Sequence, residues 1–192
     1  MTDDPQLLQQ LRQRSPEAFQ RLFQQYSDKV YRLAVSIVQN EDDAEDVVQE
    51  VFIRFFEYLD RFEGRSKIGT WLYRVAYNAS IDRVRKQRVL PVVDEDISEM
   101  PLPKQIHAWS DSHRMTMDQI DLVGQLEAAI RTLPESLRMV FLLRDVEELS
   151  TQDTAAVLNI TPGAVKVRLH RARLQLREIL TGTFAETGQR NE

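Results

Sequence analysis

Helical periodicity runs through most of the chain and constrains the fold more than any other feature of the sequence. A serine N-cap, a proline at the first helical position and an acid in the first turn mark a helix start at Ser15-Pro16-Glu17. Apolar residues then recur three or four positions apart, first over 19–38, then over 44–62 and about 70–88. No strand-like alternation interrupts this spacing, so the sequence predicts an all-α chain.

The periodicity is lost in the middle of the chain, where three prolines interrupt a stretch rich in Asp, Glu, Ser and His. We interpret residues 91–117 as a flexible acidic linker. It joins two small helical domains, predicted at 1–90 and 118–181, and a tail follows over 182–192. Two short helices are expected to finish the second domain.

Positive charge is concentrated in two segments of a chain whose net charge is −5. Residues 65–88 hold seven basic residues and one acid, and residues 151–180 hold five basic residues and two acids. Two basic patches in an acidic protein suggest two contacts with a polyanion. The alternative is that these runs are simply solvated helix faces.

Several classes of function lack their required residues. The absence of cysteine excludes a disulfide scaffold, a zinc knuckle and a thiol nucleophile. No phosphate loop, metal-ligand spacing or triad-like cluster supports an enzyme. The acids over 42–46 are attributed to a helix N-terminus rather than to a metal site, so we expect neither a metal nor a cofactor. With no signal peptide and no apolar run of the roughly 20 residues that a membrane span needs, the sequence predicts a cytoplasmic protein without membrane insertion.

The second domain contains a helix-turn-helix pattern. Ser150 and Asp153 resemble a capping box, Asn159 suits the turn, and Thr161-Pro162 begins the next helix. On a helical wheel the buried side of that helix holds Val165, Leu169, Ala172, Leu176 and Ile179.

The opposite side of the same helix is a candidate for duplex DNA. Val167, His170 and Arg171 point toward base edges in a major groove, while Lys166, Arg168 and Arg173 lie on the flanks where phosphates run. Helix pairs without any DNA role share this pattern, and they remain the alternative.

The segment 65–88 interleaves Trp71, Tyr73 and Tyr77 with basic residues. Aromatic rings among cations suit single-stranded nucleic acid, because unstacked bases lie on the rings and the cations contact the backbone. The alternative is that Trp71 and Tyr73 belong in part to the protein core.

Four ordered runs carry a resemblance to a known family: residues 46–52 (DVVQEVF), 70–78 (TWLYRVAYN), 133–138 (LPESLR) and 163–173 (GAVKVRLHRAR). Together they resemble the extracytoplasmic-function sigma factors of bacterial RNA polymerase, from about Pro16 to Leu180. The resemblance implies a sigma-2 helical bundle and a sigma-4 helix-turn-helix domain, joined by an acidic linker.

The resemblance also implies three sets of site residues. The polymerase-docking set is Asp46, Gln49 and Glu50. The set for a flipped base of the −10 element is Phe62, Ser66, Lys67, Trp71, Tyr73, Arg74, Asn78, Asp82 and Arg85. The −35 set is Thr161, Lys166, Val167, Arg168, His170, Arg171 and Arg173. Similar proteins often carry Asn at the position of Asp82, and an acid there would repel phosphate.

The implied partners are promoter DNA, core RNA polymerase through its β′ clamp helices and β flap, and an anti-sigma factor. Two other classes of protein stay open from the residues alone. One is a stand-alone helix-turn-helix regulator that dimerises through its N-terminal helices, and the other is a helical adaptor.

Overall fold

The structure, a computed structural model, describes the backbone of residues 5–64, 66–87 and 117–188 and the side chains of 6–64, 66–86 and 124–181. Every regular element in these ranges is a helix, which confirms the all-α prediction. The α-helices are α1 (Pro5–Arg12), α2 (Pro16–Val38), α3 (Glu41–Tyr58), α4 (Ile68–Gln87), α5 (Met117–Thr132), α6 (Glu135–Phe141), α7 (Thr151–Leu158) and α8 (Pro162–Gly188). A 3-10 turn over Leu59–Arg61 follows α3, and a π-helical turn over Leu142–Val146 follows α6.

Polar caps begin the two central helices of the N-terminal domain. The Ser15 side chain accepts a hydrogen bond from the Ala18 N–H at 3.3 Å, as the sequence predicts for α2. Asn40 accepts from the Asp43 N–H at 2.9 Å and so begins α3 at Glu41, two residues ahead of the start that the sequence predicts at Asp43. The acids that the sequence assigned to a helix N-terminus therefore lie in the first turn of α3, where they complement its dipole.

The N-terminal domain is built around α2, which packs against both α3 and α4, while α3 also packs against α4. Fully buried side chains from all three helices form the core, among them Leu22, Val47, Phe55 and Leu72. Helix α1, which the sequence analysis did not predict, packs on α2 and buries Leu11. It escaped prediction because eight residues are too few to show a clear period.

Helix α4 begins earlier than predicted, and its first turn lies close to α2. The expected loop over 64–69 ends at Lys67, because α4 starts at Ile68. A Cβ atom on Gly69 would lie 2.8 Å from Cε1 of Tyr26. Only glycine therefore lets the first turn of α4 lie this close to the Tyr26 ring on α2.

The C-terminal domain centres on α8, against which α5 and α6 pack. Its core includes Val140, Leu143 and Val165, and it encloses the aliphatic part of Arg138, which donates from Nη1 to the Arg131 carbonyl at 3.0 Å. The expectation of two short final helices is wrong for the second one. Helix α8 has 27 residues and reaches Gly188, into the stretch predicted as a tail.

Two helical domains are thus present, as predicted. The predicted linker over 91–117 lies outside the described residues except for Met117, which begins α5. Its flexibility and the domain boundaries at 90 and 118 remain predictions. In the described part of the chain, no helix combines the length and the hydropathy needed to cross a bilayer.

Candidate nucleic-acid interface

The backbone of the predicted helix-turn-helix follows the local signals of the sequence. The Asp153 N–H donates to Ser150 Oγ at 3.0 Å, and the Ser150 hydroxyl donates to the Asp153 carboxylate at 2.6 Å. Asn159 has φ of 53°, the left-handed conformation that ends α7. Thr161 Oγ1 then accepts from the Ala164 N–H at 3.2 Å and begins α8.

Helix α8 separates its apolar and polar sides as the helical wheel predicts. Val165, Leu169, Ala172 and Leu176 are buried, whereas Ile179 is only half-buried. On the other side Thr161, Lys166, Val167, His170 and Arg171 are exposed, and Arg168 is half-buried. Val167 is 53% exposed, an unusual place for a branched apolar side chain on a charged helix face.

The α8 cations of the predicted −35 set fall into two groups. Within the described residues, Lys166, Arg168 and Arg171 take part in no ion pair, so their charges face solvent without a partner. Arg173 instead forms a two-pronged pair with Asp145 of the π-helical turn, with Nε and Nη2 donating at 2.8 and 2.7 Å. The hydrogen bond to Asp145 raises the pKa of Arg173 above its usual value. Arg173 therefore ties α8 to the turn after α6.

The predicted −10 residues divide into a buried and an exposed group. Arg74, Asn78, Asp82 and Arg85 are all exposed on α4. Their spacing of three or four residues places them in a single stripe along the helix. Ser66 and Lys67, in the loop just before α4, are half-buried. Single-stranded DNA lying along α4 would therefore meet two cations, an amide and one acid.

The aromatic members of the same set belong to the core. Phe62, Trp71 and Tyr73 are between 2% and 8% exposed. Trp71 and Phe62 each meet the Phe55 ring edge-on, with centroids 5.4 and 5.8 Å apart, and Tyr73 meets Tyr26 in the same way. In this structure their ring faces are not open to a base. The alternative that Trp71 and Tyr73 belong to the protein core therefore holds, because the packing of α4 against α2 and α3 covers both rings.

The predicted docking residues on α3 lie together beside a cation from α4. Asp46 and Gln49 are exposed and Glu50 is half-buried. Arg83 reaches 3.2 Å to Asp46, 3.4 Å to Asp43 and 3.7 Å to Glu50. Arg83, which the sequence analysis counted among the basic residues of a DNA-binding segment, thus serves to bridge α4 to the acidic side of α3.

Sequence reasoning missed several exposed apolar side chains in the N-terminal domain. Phe23 and Ile53 are 49% and 59% exposed on α2 and α3. Phe23 also lines a groove of about 300 Å³ together with Tyr31, Val48 and Gln49. The sequence did contain a signal that Ile53 is exposed. It is an apolar residue on the otherwise polar face of α3 that carries Asp46, Gln49 and Glu50.

Tyr58, at the last position of α3, was also missed. It is 41% exposed, and its ring stacks on the ring of Trp71 with centroids 5.5 Å apart and planes 13° apart.

A metal site finds no support in the described ranges, which contain no cluster of three or more acidic or histidine side chains suited to a cation.

Comparison with known proteins matches both domains in order. The Sigma-70 region 2 family matches residues 22–89, and the Sigma-70 region 4 family matches residues 124–176. The ECF RNA polymerase sigma factor SigW of Bacillus subtilis is 34% identical over 176 residues, covering 90% of this chain and 94% of that protein. The RNA polymerase sigma-H factor of Pseudomonas aeruginosa is 34% identical over 173 residues, covering 88% of this chain and 90% of that protein.

The fold agrees with these matches. A solved structure of the sigma factor RpoE from Bartonella quintana, in complex with the anti-sigma factor NepR, superposes with a TM-score of 0.62. The two chains are 23% identical, with coverage of 85% of this chain and 96% of that one. A helical chain with a region 2 bundle and a region 4 helix-turn-helix is an RNA polymerase sigma factor. This chain belongs to the extracytoplasmic-function (ECF) sigma factor family.

Proposed function

We propose that the protein binds core RNA polymerase and directs it to promoters by reading one DNA element with each domain. The observation that carries this proposal is the pair of exposed polar surfaces that the chain presents. One is the face of α8, on which three cations have no ion-pair partner among the described residues, and the other is the stripe of α4 from Arg74 to Arg85. Two separate contacts of this kind suit a promoter that offers a duplex site and an opened strand.

The −35 element is read as duplex by α8. Val167, His170 and Arg171 face the base edges, while Lys166 and Arg168 contact phosphates on either side. Thr161 lies at the N-terminus of the same helix, where backbone N–H groups favour a phosphate. Arg173 contributes mainly by fixing α8 against Asp145, since its guanidinium is already held there on one edge.

The −10 element is held as a single strand along α4. Arg74 and Arg85 contact the backbone, and Asn78 together with Ser66 and Lys67 contacts an unpaired base. Asp82 lies in the same stripe, where its negative charge repels phosphate and so keeps the strand backbone away from that position. Phe62, Trp71 and Tyr73 act from the core by fixing the loop and α4 in place.

Asp46, Gln49 and Glu50 dock on the β′ clamp helices of the polymerase. The protein makes a second contact with the β flap. Neither domain needs to bind DNA tightly, because tethering two weak sites on one platform raises their effective concentration. Binding energy drives the opening of the DNA strands, without bond chemistry or a cofactor. The protein acts in the cytoplasm. The exposed apolar side chains Phe23 and Ile53 favour an anti-sigma factor as a further partner.

The proposal is tested by adding the purified protein to core polymerase on a library of promoter fragments and mapping the transcript starts. We expect starts that share a −10 and a −35 motif and that depend on the protein. Specific binding of a duplex palindrome by the protein alone, with no effect on transcription by core polymerase, would instead indicate a stand-alone regulator.

A further inference from the structure

Two aromatic residues of the predicted −10 set, Phe62 and Trp71, belong to a cluster of four rings of which only one is exposed. Phe62 and Trp71 each meet Phe55 edge-on, and Trp71 is covered in turn by Tyr58. Phe55, Phe62 and Trp71 are buried, whereas Tyr58 is 41% exposed. In the described part of the chain, no second ring stacks on Tyr58, and its hydroxyl has no hydrogen-bond partner.

We propose that Tyr58 supplies the aromatic face on which an unpaired base of the −10 element stacks, the task for which the sequence suggested Trp71 and Tyr73. This inference rests on the proposed function, since it names a residue that would act in −10 capture. Base–aromatic stacking tolerates any base, because every base offers a π-face. Tyr58 therefore contributes affinity for the opened strand rather than sequence choice.

The packing below Tyr58 prepares its ring for this role. Its plane lies 13° from that of Trp71, and Trp71 is itself held edge-on by Phe55. A base on the outer face would extend an existing stack of two rings. Because the inner face is already packed, little side-chain freedom remains to be lost when the base binds.

The charges around Tyr58 also suit a nucleic-acid strand. Arg61 is exposed at the end of the 3-10 turn, three residues after Tyr58 and so on the same side of that turn. Among the acids near Tyr58 in the sequence, Asp60 is neutralised by Arg14, whose Nη2 lies 2.8 Å from its carboxylate. Glu57 is exposed beside Tyr58, and its charge would repel a phosphate.

The test uses holoenzyme assembled from core polymerase and the full-length protein. The probe is the single-stranded non-template −10 segment of a promoter found by transcript mapping, with 2-aminopurine placed at each position in turn. We expect Tyr58→Leu and Tyr58→Ala to weaken binding of this oligonucleotide about 5- to 150-fold and to abolish fluorescence quenching at one position. Tyr58→Phe keeps the ring and should match the unmodified protein.

The leucine variant separates stacking from support of the fold. It keeps an apolar cover over Trp71 but has no ring face, and thermal melting checks that the bundle is intact. Phe56→Ala is the matched control, because Phe56 is 44% exposed two residues earlier on α3 and its ring packs instead on Phe19 and under Arg14. This control should bind the oligonucleotide normally.

Each outcome decides the proposal. Normal oligonucleotide binding by Tyr58→Leu would show that Tyr58 only covers Trp71, and the inference would be overturned while the proposed function stands. Failure of the unmodified holoenzyme to initiate at any promoter would overturn the proposed function, and the inference would fall with it. Weakened binding by Phe56→Ala as well would assign the effect to the bundle and not to stacking.

Discussion

Replacing Thr154 by valine should stabilise the helix-turn-helix. Thr154 lies on α7 with its side chain fully buried, and its Oγ1 has no hydrogen-bond partner among the residues that the structure describes. The helix-turn-helix pattern of the sequence would more usually have an apolar residue at position 154, so this threonine is a departure from the pattern. Valine has nearly the same shape and a similar helix propensity, so the substitution changes little except the polarity of one buried group.

The expected gain follows from the cost of burying a hydroxyl that makes no hydrogen bond, about 1–3 kcal/mol in protein mutants. Helices α5–α8 contain no tryptophan, because Trp71 and Trp109 both precede them in the sequence, so the assay needs another probe. Amide hydrogen exchange of α7 and α8 is the suitable assay, because it measures the free energy of local opening. A gain of 1–3 kcal/mol slows exchange there by about 5- to 150-fold.

The same substitution at a second threonine is the matched control, because there it should lower the stability of the domain instead of raising it. Thr161 is exposed, and its Oγ1 accepts from the Ala164 N–H at the start of α8. Thr161→Val removes this cap and should destabilise the domain by about 1 kcal/mol, with faster exchange in the first turn of α8. Unchanged or faster exchange in Thr154→Val would show that the buried hydroxyl is satisfied in solution, and the reasoning would be refuted.

Three further predictions concern the proposed interfaces. Arg171→Ala should weaken −35 binding by about 1–3 kcal/mol and relax sequence choice, whereas Lys166→Ala should weaken binding to all sequences alike and lower by about one the slope of the logarithm of affinity against the logarithm of salt concentration. Equal behaviour of the two variants in titrations over a salt series would contradict the groove assignment. Replacing −35 thymines by uracil should weaken binding of the unmodified protein but not of Val167→Ser, because the proposed −35 contact places the exposed apolar side chain of Val167 against base edges, where only thymine offers a methyl group. Equal losses in both would exclude that contact. Gln49→Ala combined with Glu50→Ala should reduce affinity for core polymerase with unchanged helical content by circular dichroism, and retention of full affinity would exclude the docking face.

The helix starts were predictable because their signals are local. Ser15, Ser150 and Thr161 each accept a backbone N–H three residues further on, as their positions before a helical period suggest. Asn159 takes the left-handed conformation expected of a turn residue. These features depend on a few neighbouring residues, and tertiary packing did not override them. The start of α4 was misplaced because Gly69 was interpreted as a loop residue, although its small size serves a contact with Tyr26.

The surface of the −10 site could not be derived from the sequence because burial on α4 depends on which helices cover it. Trp71 and Tyr73 precede the exposed Arg74, and nothing in their spacing distinguishes rings that face α2 and α3 from rings that face solvent. The relevant partner of Trp71 is Tyr58, thirteen positions earlier at the end of another helix. A stack of this kind becomes visible only when the bundle is assembled.

Ion pairs formed in the folded protein reduce the positive charge that the two basic segments can offer to DNA. The sequence counts Arg83 and Arg173 as positive charge available to a polyanion, but Arg83 lies among Asp43, Asp46 and Glu50, and Arg173 is held by Asp145. A guanidinium whose charge is already balanced by a carboxylate attracts a phosphate less strongly, so its net contribution to DNA binding is small. The Arg83 pairs have a second consequence, since polymerase docking on Asp46 and Glu50 would compete with Arg83 for the same carboxylates. Docking would then release a cation on α4 beside the proposed −10 stripe, so that this domain gains attraction for DNA at the moment it joins the polymerase.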